Sequence, residues 1–118
     1  MRAMRLAKAA PVPFGLVAFC AMAQPNPFAA SLADPLLGSR AQARVLQMDD
    51  QTDAQCAFKR FTAARIARPP EIMIQGRGVE ERRWVELWSL DRCGRRIDYW
   101  LFFFDLGGGA YFSAEPVL

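Results

Sequence analysis

Hydrophobic positions along this chain change period near residue 80. From Arg82 onward they alternate every second residue, whereas upstream no period is sustained for long. In Arg82–Leu90, Trp84, Glu86, Trp88 and Leu90 share one face, and Arg83, Val85, Leu87 and Ser89 share the other. The four-residue gap between Trp84 and Trp88 also suits a helix. Gly78 before the segment, Cys93-Gly94 after it and its aromatic middle favour a strand. Asp91-Arg92-Cys93-Gly94-Arg95 reads as a reversal, with Gly94 free to take positive φ. The next strand, Arg96 to Phe104, sets Ile97, Tyr99, Leu101 and Phe103 against Asp98, Trp100, Phe102 and Phe104. Asp105-Leu106-Gly107-Gly108-Gly109 is a second reversal, and Ala110–Ala114 returns until Pro116 stops it. The order is an antiparallel meander. Both faces of the Arg96–Phe104 strand are apolar near its end. One therefore faces a core, and the other needs cover from the N-terminal segment, a second sheet or a partner.

Upstream the pattern is less regular. Asp34-Pro35 suits the start of a short helix, with Pro35 at its first position. Leu36, Leu37, Ala41, Val45 and Met48 match a helical stripe in part. Thr52-Asp53-Ala54-Gln55 fits a capping box, which predicts a helical turn through Cys56. A strand is expected from about Phe61 to Ala67, ended by Pro69-Pro70, because neither proline can donate to a ladder. Ile72-Met73-Ile74 followed by Gly76-Arg77-Gly78 reads as another short strand and a turn.

The first 23 residues carry the pattern of a signal peptide. Arg2, Arg5 and Lys8 precede an uncharged apolar run from Ala9 to Met22, and Ala21-Met22-Ala23 suits cleavage before Gln24. The run is shorter than the ~20 residues that a helix needs to cross a bilayer. An uncleaved, membrane-tethered N-terminus is the alternative, and lipidation at Cys20 is a third, disfavoured by the bulky Phe19 before it. Residues 24–50, punctuated by Pro25, Pro27 and Pro35, are expected to be a poorly ordered linker. Residues 51–118 then form one small domain.

Export also changes the charge balance. The whole chain has 15 Lys and Arg against 12 Asp and Glu, and three of the basic residues leave with the signal. The mature chain is near neutral and has no general electrostatic reason to seek nucleic acid. The membrane is met only through the signal. Of three cysteines, Cys56 and Cys93 remain, in an oxidising compartment where pairing is the default. A crosslink over that loop is worth ~4 kcal/mol in loop-closure entropy, a large share of a small domain's net stability.

Little catalytic chemistry is within reach. The chain has no histidine, which removes imidazole bases, triads and the common zinc sets, and two cysteines alone make no tetrahedral metal site. No metal or cofactor is expected. Gly107, Gly108 and Gly109 lie between two strands and read as a turn rather than a phosphate cradle, which wants a helix N-terminus behind it. Glu86, between two tryptophans, is the weak catalytic candidate. A partly exposed carboxylate paired with Arg83, Arg95 or Arg96 explains it more simply. A raised-pKa acid or base would need Asp98 or Asp105 as a second carboxylate for glycoside chemistry. Trp84 and Trp88 are weak candidates for stacking a sugar or peptide, with core residues as the simpler reading. Arg95 and Arg96, with Arg92, form a basic corner that suits either an anionic surface or plain solvation.

Trp84-x-Glu86-x-Trp88, four residues, Cys93-Gly94, then Asp105, Gly108-Gly109 and Phe112 resemble a pattern in short exported bacterial proteins of uncharacterised function. Cys56 would be their upstream cysteine, and the resemblance spans roughly residues 56–112. It implies a small exported domain and no activity. The fold expected is mainly β, a small antiparallel meander with one disulfide, or α+β if a short N-terminal helix forms. The function expected is a non-enzymatic envelope domain, periplasmic or secreted, that binds a partner protein or surface polymer. The competing expectation is a small hydrolase using Glu86.

Overall fold

The computed structural model describes residues 25–118. The signal segment 1–23 and Cys20 therefore lie outside the described residues. Helix α1 (Pro35–Thr52) precedes four strands, β1 (Lys59–Ile74), β2 (Glu80–Arg92), β3 (Arg95–Asp105) and β4 (Ala110–Pro116). The strands form one antiparallel sheet in the order β1-β2-β3-β4, a meander.

The β2–β3 hairpin is the regular part. Its register runs without a break from Arg82↔Asp105 to Arg92↔Arg95. The two turn residues, Cys93 and Gly94, both have positive φ, 48° and 88°. A two-residue hairpin turn that follows the strands' twist requires this of both positions. The Gly94 amide donates to Asp91 Oδ1 at 2.7 Å, and the Cys93 amide donates to the Phe58 carbonyl at 3.2 Å. Cys93 thereby meets the chain entering β1, and Cys56 and Cys93 form a disulfide with Cα atoms 6.0 Å apart.

Two upstream expectations are corrected. The expected linker spans residues 24–50, and its described part, residues 25–50, does not stand apart from the domain. Asp34 caps α1 by accepting the Leu37 amide at 2.9 Å, Pro35 opens it, and Leu37, Ala41, Val45 and Asp49 are buried. The helix continues through Thr52, and Asp53 is its C-cap rather than part of a capping box. Even the segment before the helix is placed, with the Phe28 ring edge-on to Phe61 and Trp88 at 5.2 and 4.8 Å. The apolar surface of the sheet gives this polar, proline-punctuated stretch what it cannot supply by itself.

Pro69-Pro70 does not end a strand either. β1 runs past both prolines, with register shifts between Phe61 and Ala63, Ile66 and Arg68, and Arg68 and Glu71. It is an edge strand, so one side of its backbone has no ladder to supply, and prolines and bulges are tolerated there.

The core lies between α1 and one face of the sheet. Trp88, Leu90, Leu101 and Phe103 are fully buried, and Trp84 and Tyr99 nearly so. Trp84 stacks on Phe103 at 5.1 Å, and Phe61 meets Trp88 edge-on at 5.6 Å. Such aromatic pairs are each worth ~0.5–1.5 kcal/mol beyond the area they bury.

Candidate functional site

Glu86 sits inside this core with no exposed surface. Strand alternation puts Trp84 and Trp88 on either side of it, two residues away on the same face. Trp84 Nε1 donates to Oε2 and Trp88 Nε1 donates to Oε1, both at 2.8 Å. The Leu32 amide donates to Oε2 at 2.9 Å. Neutral N–H groups, not arginines, therefore satisfy the carboxylate, and the expected pairing with Arg83, Arg95 or Arg96 does not form. Buried polar groups persist when their hydrogen bonds are complete. The Trp-x-Glu-x-Trp spacing has a plain geometric meaning here: it aims two indole donors at one carboxylate and ties residues 28–33 to the sheet.

The other candidates are dispersed. Asp98 lies on the opposite face, accepting from Ser89 Oγ at 2.8 Å and Arg96 Nε at 3.0 Å. Asp105 accepts the Gly107 amide at 2.8 Å within the second turn. Neither joins Glu86. The indoles of Trp84 and Trp88 are 5% and 0% exposed, so neither offers a face on which a ligand can stack. Arg95 and Arg96 are exposed at the hairpin tip, whereas Arg92, grouped with them by sequence, is buried. Among the described residues no group of three or more Cys, Asp or Glu could hold a metal ion.

A second buried carboxylate, Asp49, went unrecognised in the sequence. It is fully buried at the last turn of α1. Arg92 donates to both its oxygens, with Nε at 3.0 Å from Oδ2 and Nη2 at 2.5 Å from Oδ1. Tyr99 Oη donates to Oδ1 at 2.7 Å, and Lys59 Nζ stands 3.2 Å from Oδ2. Burial alone would raise the Asp49 pKa. Hydrogen bonds from Arg92, Tyr99 and Lys59, with the Arg92 charge, outweigh it and hold the group at about 2. Burial and the Asp49 carboxylate push Tyr99 up to about 12. Lys59 also reaches Asp50 Oδ1 at 2.7 Å and the Asp53 carbonyl at 2.8 Å, placing a cation at the helix C-terminus. This cluster joins α1 to β1, β2 and β3. Its chemistry is that of a fastener, since both Asp49 oxygens are engaged and the carboxylate itself is fully buried.

What remains open is the other face of the sheet, over which no described element lies. Val85 on β2 and Trp100, Phe102 and Phe104 on β3 are half-buried there, and Leu87 is covered only by its neighbours. The register sets the face out in cross-strand rows. Arg65, Leu87, Trp100 and Glu115 form one row, and Arg68, Val85, Phe102 and Ser113 the next. In these two rows the apolar residues occupy the two central strands and the polar ones the two edges. A shallow depression of about 330 Å³ is lined by Arg68, Pro69, Val85, Phe102 and Phe104. Another of similar size lies over Arg68, Val85, Trp100 and Phe102. No candidate named from sequence lies in this strip, although the apolar character of both faces near Phe104 was its signal.

The fold and this surface define a small disulfide-linked antiparallel meander, covered by one helix on a single side. No family model, curated protein or solved structure matches the chain.

Proposed function

We propose that this is an exported, non-enzymatic domain of the bacterial envelope and that it binds a partner protein or surface polymer through the open face of its sheet. One observation carries the reading: an aromatic strip, Trp100-x-Phe102-x-Phe104 with Val85 and Leu87 beside it, sits half-exposed at the centre of the sheet. Antiparallel sheets with one solvated face ordinarily alternate apolar and polar residues, so an apolar solvated face is surface kept for contact. The signal-like N-terminus supports export, and the Cys56–Cys93 disulfide fits an oxidising compartment. The hydrolase reading has no such support, because Glu86 is buried and engaged by three donors.

The test is photo-crosslinking in cells that export the protein. A photoreactive phenylalanine analogue at position 102 is expected to give a discrete adduct, whereas the same analogue at position 44, on the exposed side of α1, gives none. Absence of an adduct from position 102 would overturn the reading.

A further inference from the structure

The cross-strand rows of the open face carry more than apolar surface. In the row Arg65–Leu87–Trp100–Glu115, a base stands at the β1 edge, an acid at the β4 edge and two apolar side chains between them. Arg65 and Arg68 are exposed and make no ion pair among the described residues, and residues 1–24 contain no acid to serve them. Glu115 is likewise exposed and unpaired among the described residues. The other charges on this face satisfy one another, as Arg96 with Asp98, Arg83 with Glu81 and Arg60 with Asp91. Among the described residues, Glu71, beside Arg83, adds one more unpaired acid at the β1 edge.

Such a row is complementary to its own reverse. Two copies can meet face to face about a two-fold axis parallel to the strands, which places β1 of one copy over β4 of the other. Each row then meets itself reversed. Arg65 faces the second copy's Glu115, and Leu87 faces its Trp100. In the next row Arg68 faces Ser113, and Val85 faces Phe102. A two-fold axis across the strands would instead set arginine against arginine. Resting on the binding reading above, we infer that the occupant of the open face is a second copy of this chain, in a two-sheet sandwich with α1 on each outer side.

The dimensions suit this. Strands ~4.8 Å apart rising ~3.3 Å per residue make a face roughly 20 Å by 30 Å. That is about 600 Å² per copy before side-chain relief is counted, near the lower range of specific interfaces. Sheets packed face to face lie ~10 Å apart at a small angle, close enough for the inner side chains to interdigitate. A two-fold interface also requires a patch that complements itself, and these rows provide one.

Sedimentation of the oxidised mature protein over a micromolar-to-millimolar series is expected to show a monomer–dimer equilibrium. Phe102→Glu should abolish the dimer while circular dichroism remains that of the folded chain. The sharper test reverses the edge charges, on exposed residues whose replacement spares the fold. Arg65→Glu alone and Glu115→Arg alone should each weaken self-association on the order of ten-fold, because each places like charges together twice per dimer. The doubly reversed Arg65→Glu, Glu115→Arg chain should return to within about three-fold of the original, because the complement is restored. A monomer throughout the series would overturn the inference, and so would a dimer indifferent to both single reversals. Crosslinking separates this failure from that of the broader reading. An adduct from position 102 with a mass other than two chains leaves the open face a binding face and removes the second copy. No adduct removes both.

Discussion

On the face beneath α1, the central side chains Trp88, Leu90, Leu101 and Phe103 are fully buried, and every buried side-chain polar atom among the described residues has a partner. Glu86 is held by two indoles and an amide, and Asp49 by a guanidinium, an ammonium and a phenol. On the opposite face the aromatic residues are only half covered, and charge without a partner among the described residues sits at the edges. The covered face spends its polar groups on holding its own chain together. The open face leaves some of them unpaired among the described residues, and that difference separates the core from the surface proposed for contact.

Removing Asp49 should break the covered face most severely. Asp49→Ala leaves Arg92 and Lys59 without their shared carboxylate, and truncating one partner of a buried ion pair typically costs ~3–5 kcal/mol. Urea unfolding measures this, with Asp50→Ala as the control at an exposed carboxylate, expected below about 1 kcal/mol. Equal losses at the two positions would remove Asp49 from its central place. Cys56→Ser should cost ~2–4 kcal/mol by freeing the loop and should leave Cys93 able to cross-link chains. Thiol counting on denatured exported protein without reductant is expected to find none free, and two per chain would contradict the disulfide.

Acid should expose the same fastener. The unfolded Asp49 carboxyl binds a proton at its ordinary value of 3.8, and the folded one only at about 2. Its contribution, on the order of 2 kcal/mol, is present above about pH 4 and is lost as pH falls toward 2. Tyr99 acts at the other end. Its folded pKa of about 12 exceeds the ordinary 10, so its contribution is lost as pH rises between those values. Unfolding free energy measured against pH should show both declines, and Asp49→Asn should flatten the acidic one. Glu86→Gln has a smaller expected effect, about 1–2 kcal/mol, because one acceptor becomes a donor facing an N–H group. The Leu32 amide should then exchange faster with deuterated water, and unchanged exchange would dissociate Glu86 from the N-terminal segment.

Much of this was legible in the sequence where local rules and burial agree. Alternation in β2 and β3, the Cys93-Gly94 turn and the cysteine pairing all followed from period, glycine and compartment. The start of the helix at Asp34-Pro35 was legible, but its length and its docking were not, because its propensity is modest and its partner surface lies far along the chain. The signal was nevertheless there. Leu37, Ala41 and Val45 are four residues apart, and the next step falls on Asp49, where an apolar residue was sought and Met48 taken instead. Strand alternation likewise carries Trp84, Glu86, Trp88 and Leu90 on to Arg92, so the two buried ions could have been matched across the core. Pro69-Pro70 misled because an edge strand is a property of the sheet, not of the segment.

Phe102 and Phe103 put the division between the faces to its most direct test, being neighbours on β3 that point to opposite sides of the sheet. Each is replaced by alanine, and unfolding free energy is measured at protein concentrations low enough to keep the chain monomeric, with association measured separately. The account predicts that Phe103→Ala loses ~3–5 kcal/mol, as expected for an aromatic residue cut from a packed core. Phe102→Ala should lose about 1 kcal/mol or less and yet abolish contact through the open face. Equal losses of stability, or full association by the Phe102→Ala chain, would contradict it.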